Sequence, residues 1–304
     1  MSWLSLRPER LRRAPLAAAA LPVVAAALLA STGVAPAGTT PTTTTAQGTT
    51  PTTPAATTPG NSVVVSASIT YTDGIKSKSA VWKNIRLTIT RNGAALLNGE
   101  LLPEEARDSV FSGPKLQAVD LDGDSESEVI VDVFKAGVDC CRRSVVYHRD
   151  GDAYRAQVID WGDAGYRLED VTGGGAPEFV TSDARVPGAY DSDARGPLRV
   201  LALRKGQVRD VSRHQPRELA RDARGHRRAL ERLRRRKSQS DARPHLVAYV
   251  ADLVRLGDVS GARAAIRSSA RRGELRTTPA KFRRLLDRQF LTWGYTSRRH
   301  VLGG

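Results

Sequence analysis

VDLDGDSESEVIVDVF, residues 119 to 134, is the stretch on which the reading of this chain turns. Within nine residues it sets Asp120, Asp122, Asp124 and Glu128 on one short loop, and it then runs directly into an apolar strand. Four carboxylates so close together repel one another unless a cation sits among them. Side chains at alternate positions of a tight loop converge on one point because the chain curls around it. A hard cation such as calcium takes about six to eight oxygen ligands in such a setting. The carboxylates of Asp120, Asp122, Asp124 and Glu128, with the carbonyl of Glu126, are therefore the candidate ligands of a Ca2+ ion.

The surroundings of the loop read as β structure. VVVSASITY (63 to 71) is rich in β-branched and aromatic residues, and IRLTITRNGAALL (85 to 97) places Asn92-Gly93 between apolar alternations, a hairpin signal. SVVYHRDGDAYRAQVI (144 to 159) turns at Asp150-Gly151, and LRVLALRKGQVRDV (198 to 211) turns near Lys205-Gly206. The acidic loop itself has an echo. LEDVTGGGAPEFV (168 to 180) carries Asp170, Thr172, Gly174 and Glu178 at the spacing of Asp120, Asp122, Asp124 and Glu128, offset by 50 residues. Loop, strand, strand, turn and strand thus occur twice, as expected of an internal repeat whose second loop has lost two carboxylates.

The loop is not an EF-hand, because the required glycine falls at Ser125 and the bidentate glutamate at Val131, inside a strand. DLDGDSESEVIVDVF instead resembles the calcium loop of FG-GAP and VCBS repeats, the blade units of integrin-type β-propellers. The resemblance covers residues 116 to 182 and extends loosely over 85 to 211. It implies that the first, third, fifth and ninth loop positions bind the ion, here Asp120, Asp122, Asp124 and Glu128. Ser125 departs from the pattern, since glycine is usual there, and a side chain at positive φ costs on the order of 1 kcal/mol. The second loop matches only at Asp170 and Glu178, so metal is not expected in it.

The resulting fold class is α+β: antiparallel, propeller-blade-like β repeat units followed by a small α-helical C-terminal domain. Two or three units are too few to close a propeller, so the open edges need cover from the helices or from another copy of the chain. Oligomerisation is one way to meet that need.

Cys140 and Cys141 are the only cysteines. An even count in an exported chain favours pairing. Adjacent Cα atoms stand only ~3.8 Å apart, so a vicinal bridge is strained and closes almost no chain. Two free thiols and bridges to a second molecule are the other readings. Adjacent cysteines at this place resemble those of related bacterial repeat proteins. A catalytic thiol is disfavoured, because the sole nearby base, His148, lies on an expected strand.

The ends of the 304-residue chain have another character. Residues 1–37 combine Arg7, Arg10, Arg12 and Arg13 with the apolar run APLAAAALPVVAAALLA (14 to 30) and small residues around Ala35-Pro36-Ala37, the layout of an export signal. An interrupted run of this length is at the short edge of a membrane span, so a membrane association requires that the leader be retained. Residues 38–60, almost wholly Thr, Pro, Ala and Gly, read as an extended tether. The β-rich region is assigned to 61–211 and a basic helical domain to 212–304. Both lie outside the cytoplasm, secreted or at the cell surface.

The net charge of +15 is confined to one segment: from residue 209 to the end 25 Lys and Arg face 9 Asp and Glu, against 22 and 23 before it. Helical periodicity marks Leu219, Ala223, Leu230 and Leu233, interrupted by Gly225, then Leu246 to Val254, then GARAAIRSSARRG (261 to 273). A last helix begins at the Thr278-Pro279 cap. RGHRRALERLRRRK (224 to 237) is the densest charge run and suits an anionic cell-envelope polymer or protein. Nucleic acid is disfavoured by the exported location and by the lack of aromatics among the arginines. A binding or surface-interaction module is therefore expected and an enzyme is not. The rival readings are an extracellular hydrolase of wall or glycan polymers and a purely structural spacer. Against the hydrolase, Asp160, Asp163, Glu169 and Asp170 are acidic without a spacing that assigns acid and base.

Overall fold

The computed structural model describes residues 41–44, 63, 65–73, 81–110, 112–135, 142–236 and 241–303. The expected leader, most of the Thr/Pro segment and both Cys140 and Cys141 lie outside these residues. What is described is α+β, with antiparallel sheets followed by helices.

The first sheet contains β1 (Pro41–Thr44), β2 (Val65–Asp73), β3 (Val81–Arg91), β4 (Ala94–Leu101) and the short β5 (Ser109–Val110). Strand β1 falls in the segment read as a tether. Its threonines have high β propensity, its proline occupies the first position of an edge strand, and β2 offers an unpaired edge that it joins antiparallel. Strands β3 and β4 turn at Asn92-Gly93, whose φ values of 49° and 82° are the left-handed pair that a two-residue hairpin requires.

The second sheet is the meander β6 (Lys115–Val119), β7 (Glu128–Phe134), β8 (Arg142–Asp150) and β9 (Ala153–Gly162). The third repeats its connectivity as β10 (Tyr166–Glu169), β11 (Glu178–Ser182), β12 (Leu198–Arg204) and β13 (Gln207–Asp210). In each, one eight-residue loop joins the first strand to the second, 120–127 between β6 and β7 and 170–177 between β10 and β11, and the glutamate that opens the next strand is its ninth position.

Strand alternation stacks these sheets. Successive side chains leave a strand on opposite faces. Val129, Val131 and Val133 of β7 enter one core with Ile69, Leu87 and Ile89 of the first sheet. Ile130, between them, enters a second core with Val146, Trp161, Phe179 and Leu201. The middle sheet is thus apolar on both faces, which is why β7 reads as an almost continuous hydrophobic run. Each such side chain contributes about 1.5–3 kcal/mol when fully buried.

The outer face of the third sheet is covered in turn. Val180, Leu198 and Val200 pack with Leu219 of α2 (Pro216–Arg235). Beyond it α3 (Arg243–Arg255), α4 (Val259–Arg271) and α5 (Pro279–Thr292) share a core built on Leu246, Val250, Ile266, Phe282 and Phe290. A one-turn helix, α1 (Arg185–Gly188), lies in the β11–β12 connection and adds Val186 to that core. The Thr278 side chain accepts from the Lys281 N–H, the expected cap. Gly225 does not interrupt α2, since Leu219, Ala223, His226 and Leu230 bury one face on both sides of it. That burial outweighs the roughly 1 kcal/mol a helical glycine costs. Helix α4 begins at Val259, two residues before the expected start, because the Asp258 side chain accepts from the Gly261 N–H and caps it there.

Candidate metal centre

Loop 120–128 is organised by its own carboxylates. The Gly123 and Ser125 N–H groups donate to Asp120 Oδ1 and Oδ2 at 2.7 and 2.9 Å. The Asp124 N–H donates to Asp122 Oδ1 at 3.2 Å and the Glu126 N–H to Asp124 Oδ1 at 2.7 Å. The Leu121 N–H donates to Glu128 Oε2 at 2.6 Å. Each of Asp120, Asp122 and Asp124 brings one oxygen within 4.8 Å of the other two. Glu128 is buried beside this group as the first residue of β7.

Loop 170–178 has the same frame. The Gly173 and Gly175 N–H groups donate to Asp170 Oδ1 and Oδ2 at 2.7 and 2.8 Å, and the Val171 N–H donates to Glu178 Oε2 at 3.1 Å. First-position aspartate to fourth and sixth amides, ninth-position glutamate to second amide: both loops close by these bonds, 50 residues apart. The sixth residue is left-handed in both, Ser125 with φ 72° and Gly175 with φ 87°. Ser125 thus adopts the positive φ expected from the loop pattern.

The loops differ in charge. Thr172 and Gly174 stand in the second loop where the first has Asp122 and Asp124. The second loop's buried glutamate also has a cation, since Arg204 Nη2 lies 3.0 Å from Glu178 Oε1. Arg204 ends β12 as Asp150 ends β8, so the first unit carries an acid at the corresponding strand end. Among the described residues no Lys or Arg pairs with Asp120, Asp122, Asp124 or Glu128. Burial, and after it the charges of Asp122, Asp124 and Asp120, push the Glu128 carboxyl up to about 8 despite the Leu121 bond. Burial and the neighbouring Asp124 likewise raise Asp122. Asp170 is instead held below the usual carboxylate range by the Gly175 amide and its neighbours.

Glu126 faces away from the converging aspartates. Arg91 of β3 grips it with Nε–Oε1 and Nη2–Oε2 distances of 3.0 and 3.1 Å, and Arg149 Nη1 lies 3.4 Å from Oε2. Its side chain therefore ties the loop to the first sheet, and only its carbonyl is left as the candidate ligand. Sequence reasoning missed this pair; 35 residues separate Arg91 from Glu126, and nothing local to either announces the other.

The other acidic residues are placed apart. Asp160 pairs with Arg143 at 3.2 Å and Glu169 with Arg167 at 2.6 Å. Asp160 and Asp163 line a cleft of about 1250 Å³, together with Asp183, Arg185 and Arg195. Asp183 is engaged there by Arg185 and by the Tyr295 hydroxyl, which donates at 2.6 Å. His148 is buried on β8 beside Gly206, and burial lowers its pKa. The basic run lies on α2, where Arg217, Arg221, Arg224, Arg228, Arg232 and Arg235 recur at helical spacing and are all exposed.

No family model, curated protein or solved structure matches the chain. Among the described residues no helix is long and apolar enough to cross a membrane.

Proposed function

We propose that the protein is an exported binding or surface-interaction module of FG-GAP/VCBS type whose loop 120–128 holds a structural calcium ion. The observation that carries this reading is the pair of loops with one hydrogen-bond frame and two charge states. In the second loop an arginine balances the buried glutamate. In the first the aspartates converge with no cationic side chain paired to them among the described residues, and a divalent cation supplies the missing charge. The donor set is all oxygen, the set that calcium prefers. Asp120, Asp122 and Asp124 keep lone pairs for the ion after accepting their backbone bonds, Glu128 stands beneath them, and the Glu126 carbonyl completes the set.

The ion locks the turn that enters β7, the strand buried on both faces. The two meanders are then blade-like units, and the helices close the last of them as a C-terminal domain. The N-terminal leader directs the chain out of the cytoplasm. The arginine stripe of α2 is the interaction surface, suited to an anionic envelope polymer by charge rather than by shape.

Long-chain polyphosphate serves as the probe of that surface. In calcium buffer the full-length chain should bind it, and binding should weaken as ionic strength rises. The triple variant Arg224→Glu, Arg228→Glu, Arg232→Glu should lose binding while keeping its melting temperature. Equal binding by the triple variant would remove the stripe as the partner surface.

A further inference from the structure

A second group of ligating side chains, distinct from the acidic loop, lies where α2 and α3 meet under the cleft. Asp222 and His226 are one helical turn apart on α2, and Asp252 faces them from α3. All three are buried, and each brings one ligand atom within 4.8 Å of the other two. His226 Nε2 is 3.2 Å from Asp222 Oδ2. Asp252 is 0% exposed, and among the described residues its Oδ2 has no hydrogen-bond partner. Arg255 balances the carboxylate through Oδ1, so what is left over is a buried acceptor oxygen without a hydrogen bond, which costs free energy unless something binds it.

Arginines hold the outer carboxylate oxygens of the group, and His226 Nε2 and Asp222 Oδ2 face each other inside it. Arg195 pairs with Asp222 Oδ1. Arg255 Nη2 donates to Asp252 Oδ1 at 2.6 Å. Metal-ligating carboxylates are characteristically oriented this way, by bonds from their far atoms to charged groups. Glycine is required at 196, because a Cβ there would collide with the Asp183 carbonyl.

We infer that Asp222, His226 and Asp252 form a zinc-class transition-metal site. The imidazole excludes calcium and magnesium as the preferred ions, whereas one nitrogen and two carboxylate oxygens suit zinc. Zinc bonds of about 2.0–2.2 Å place tetrahedral ligands roughly 3.4 Å apart, close to the His226–Asp222 separation. Three protein ligands leave a fourth position for water or a ligand. Arg195 gives the ion a way in: its side chain is 53% exposed and it lines the cleft together with Gly196. The metal takes the inner oxygens of the two carboxylates, while the guanidiniums of Arg195 and Arg255 remain on the outer ones.

The test uses the full-length chain, stripped with chelator and then titrated with zinc in saturating calcium, with metal content measured after gel filtration. Wild type should retain one zinc per chain, and cobalt in its place should give the intense visible absorption of a four-coordinate site. His226→Gln and Asp252→Asn should each lose zinc retention at least tenfold, while Asp122→Ala, which alters only the acidic loop, should retain it. Folded wild type that holds no zinc and gives no such cobalt spectrum would overturn the assignment, even if both variants fail to fold. Zinc retention unchanged in a folded His226→Gln chain would also overturn it.

Discussion

Arg204 Nη2 stands 3.0 Å from Glu178 Oε1, and among the described residues Glu128, at the same place in the first loop, has no such charge counterpart. The two glutamates occupy equivalent positions, both buried and both accepting from the second amide of their loop. Glu178 is compensated by an arginine, and Glu128 is the point at which the proposed cation would act.

Arg204→Ala should therefore destabilise the protein whether or not calcium is present. Glu178 is fully buried while Arg204 is partly exposed, so the loss should be about 2 kcal/mol, the cost of leaving a buried acceptor without its charged partner. Urea midpoints of wild type and variant should differ by the same amount in calcium and in chelator. A difference that vanishes in calcium would mean that the second loop also takes the ion.

Ser125→Gly should be stabilising. Ser125 sits at φ 72°, where the second loop has Gly175 at φ 87°. Removing the Cβ relieves the left-handed strain, and the greater freedom of glycine in the unfolded chain takes back part of that gain. The net effect should be about 0.5–1 kcal/mol by urea unfolding. A loss of stability would show that the Ser125 side chain is itself needed in the loop.

The acid side of the stability profile should depend on Asp183. Burial pushes its carboxyl up, but the Arg185 bond and charge and the Tyr295 hydroxyl outweigh it, and the folded-state pKa lies below the ordinary value of 3.8. A group with a depressed folded pKa contributes stability that is fully present above its unfolded pKa and is lost as pH falls through the folded one. Wild type should lose stability as pH drops below about 4. Asp183→Asn should be less stable at pH 6 and flatter below pH 4 in urea midpoints measured across that range. Parallel profiles would remove Asp183 as a source of the acid dependence.

Local devices were legible before any coordinates. The Asn92-Gly93 hairpin, the Thr278-Pro279 cap and the two loops with their offset of 50 residues are each written in a few adjacent residues, because turn and cap geometry is decided within a few residues of itself. The apolar run of β7 was legible as a strand, but that both its faces are buried came only with the stacked sheets. Contacts between distant segments left no such trace. Arg91 meets Glu126 only because the first sheet stacks on the second, and Asp252 reaches Asp222 only because α3 packs on α2. Gly225 was misjudged as an interruption for the same reason: the buried face that keeps α2 continuous belongs to tertiary packing rather than to helix propensity. Position β1 in the Thr/Pro segment depended on an edge of β2 that composition does not reveal.

Calorimetric titration of calcium into the full-length chain, wild type beside Asp122→Ala, tests the central claim most directly. At the affinities common for extracellular modules, about 0.1–1 mM, saturating ion should bind at one site and stabilise the wild type by roughly 2 kcal/mol in a parallel melt. Asp122→Ala should show neither the heat nor the shift. Wild type that neither binds calcium nor melts later in its presence would contradict the account, and the four carboxylates of loop 120–128 would then form a solvated turn.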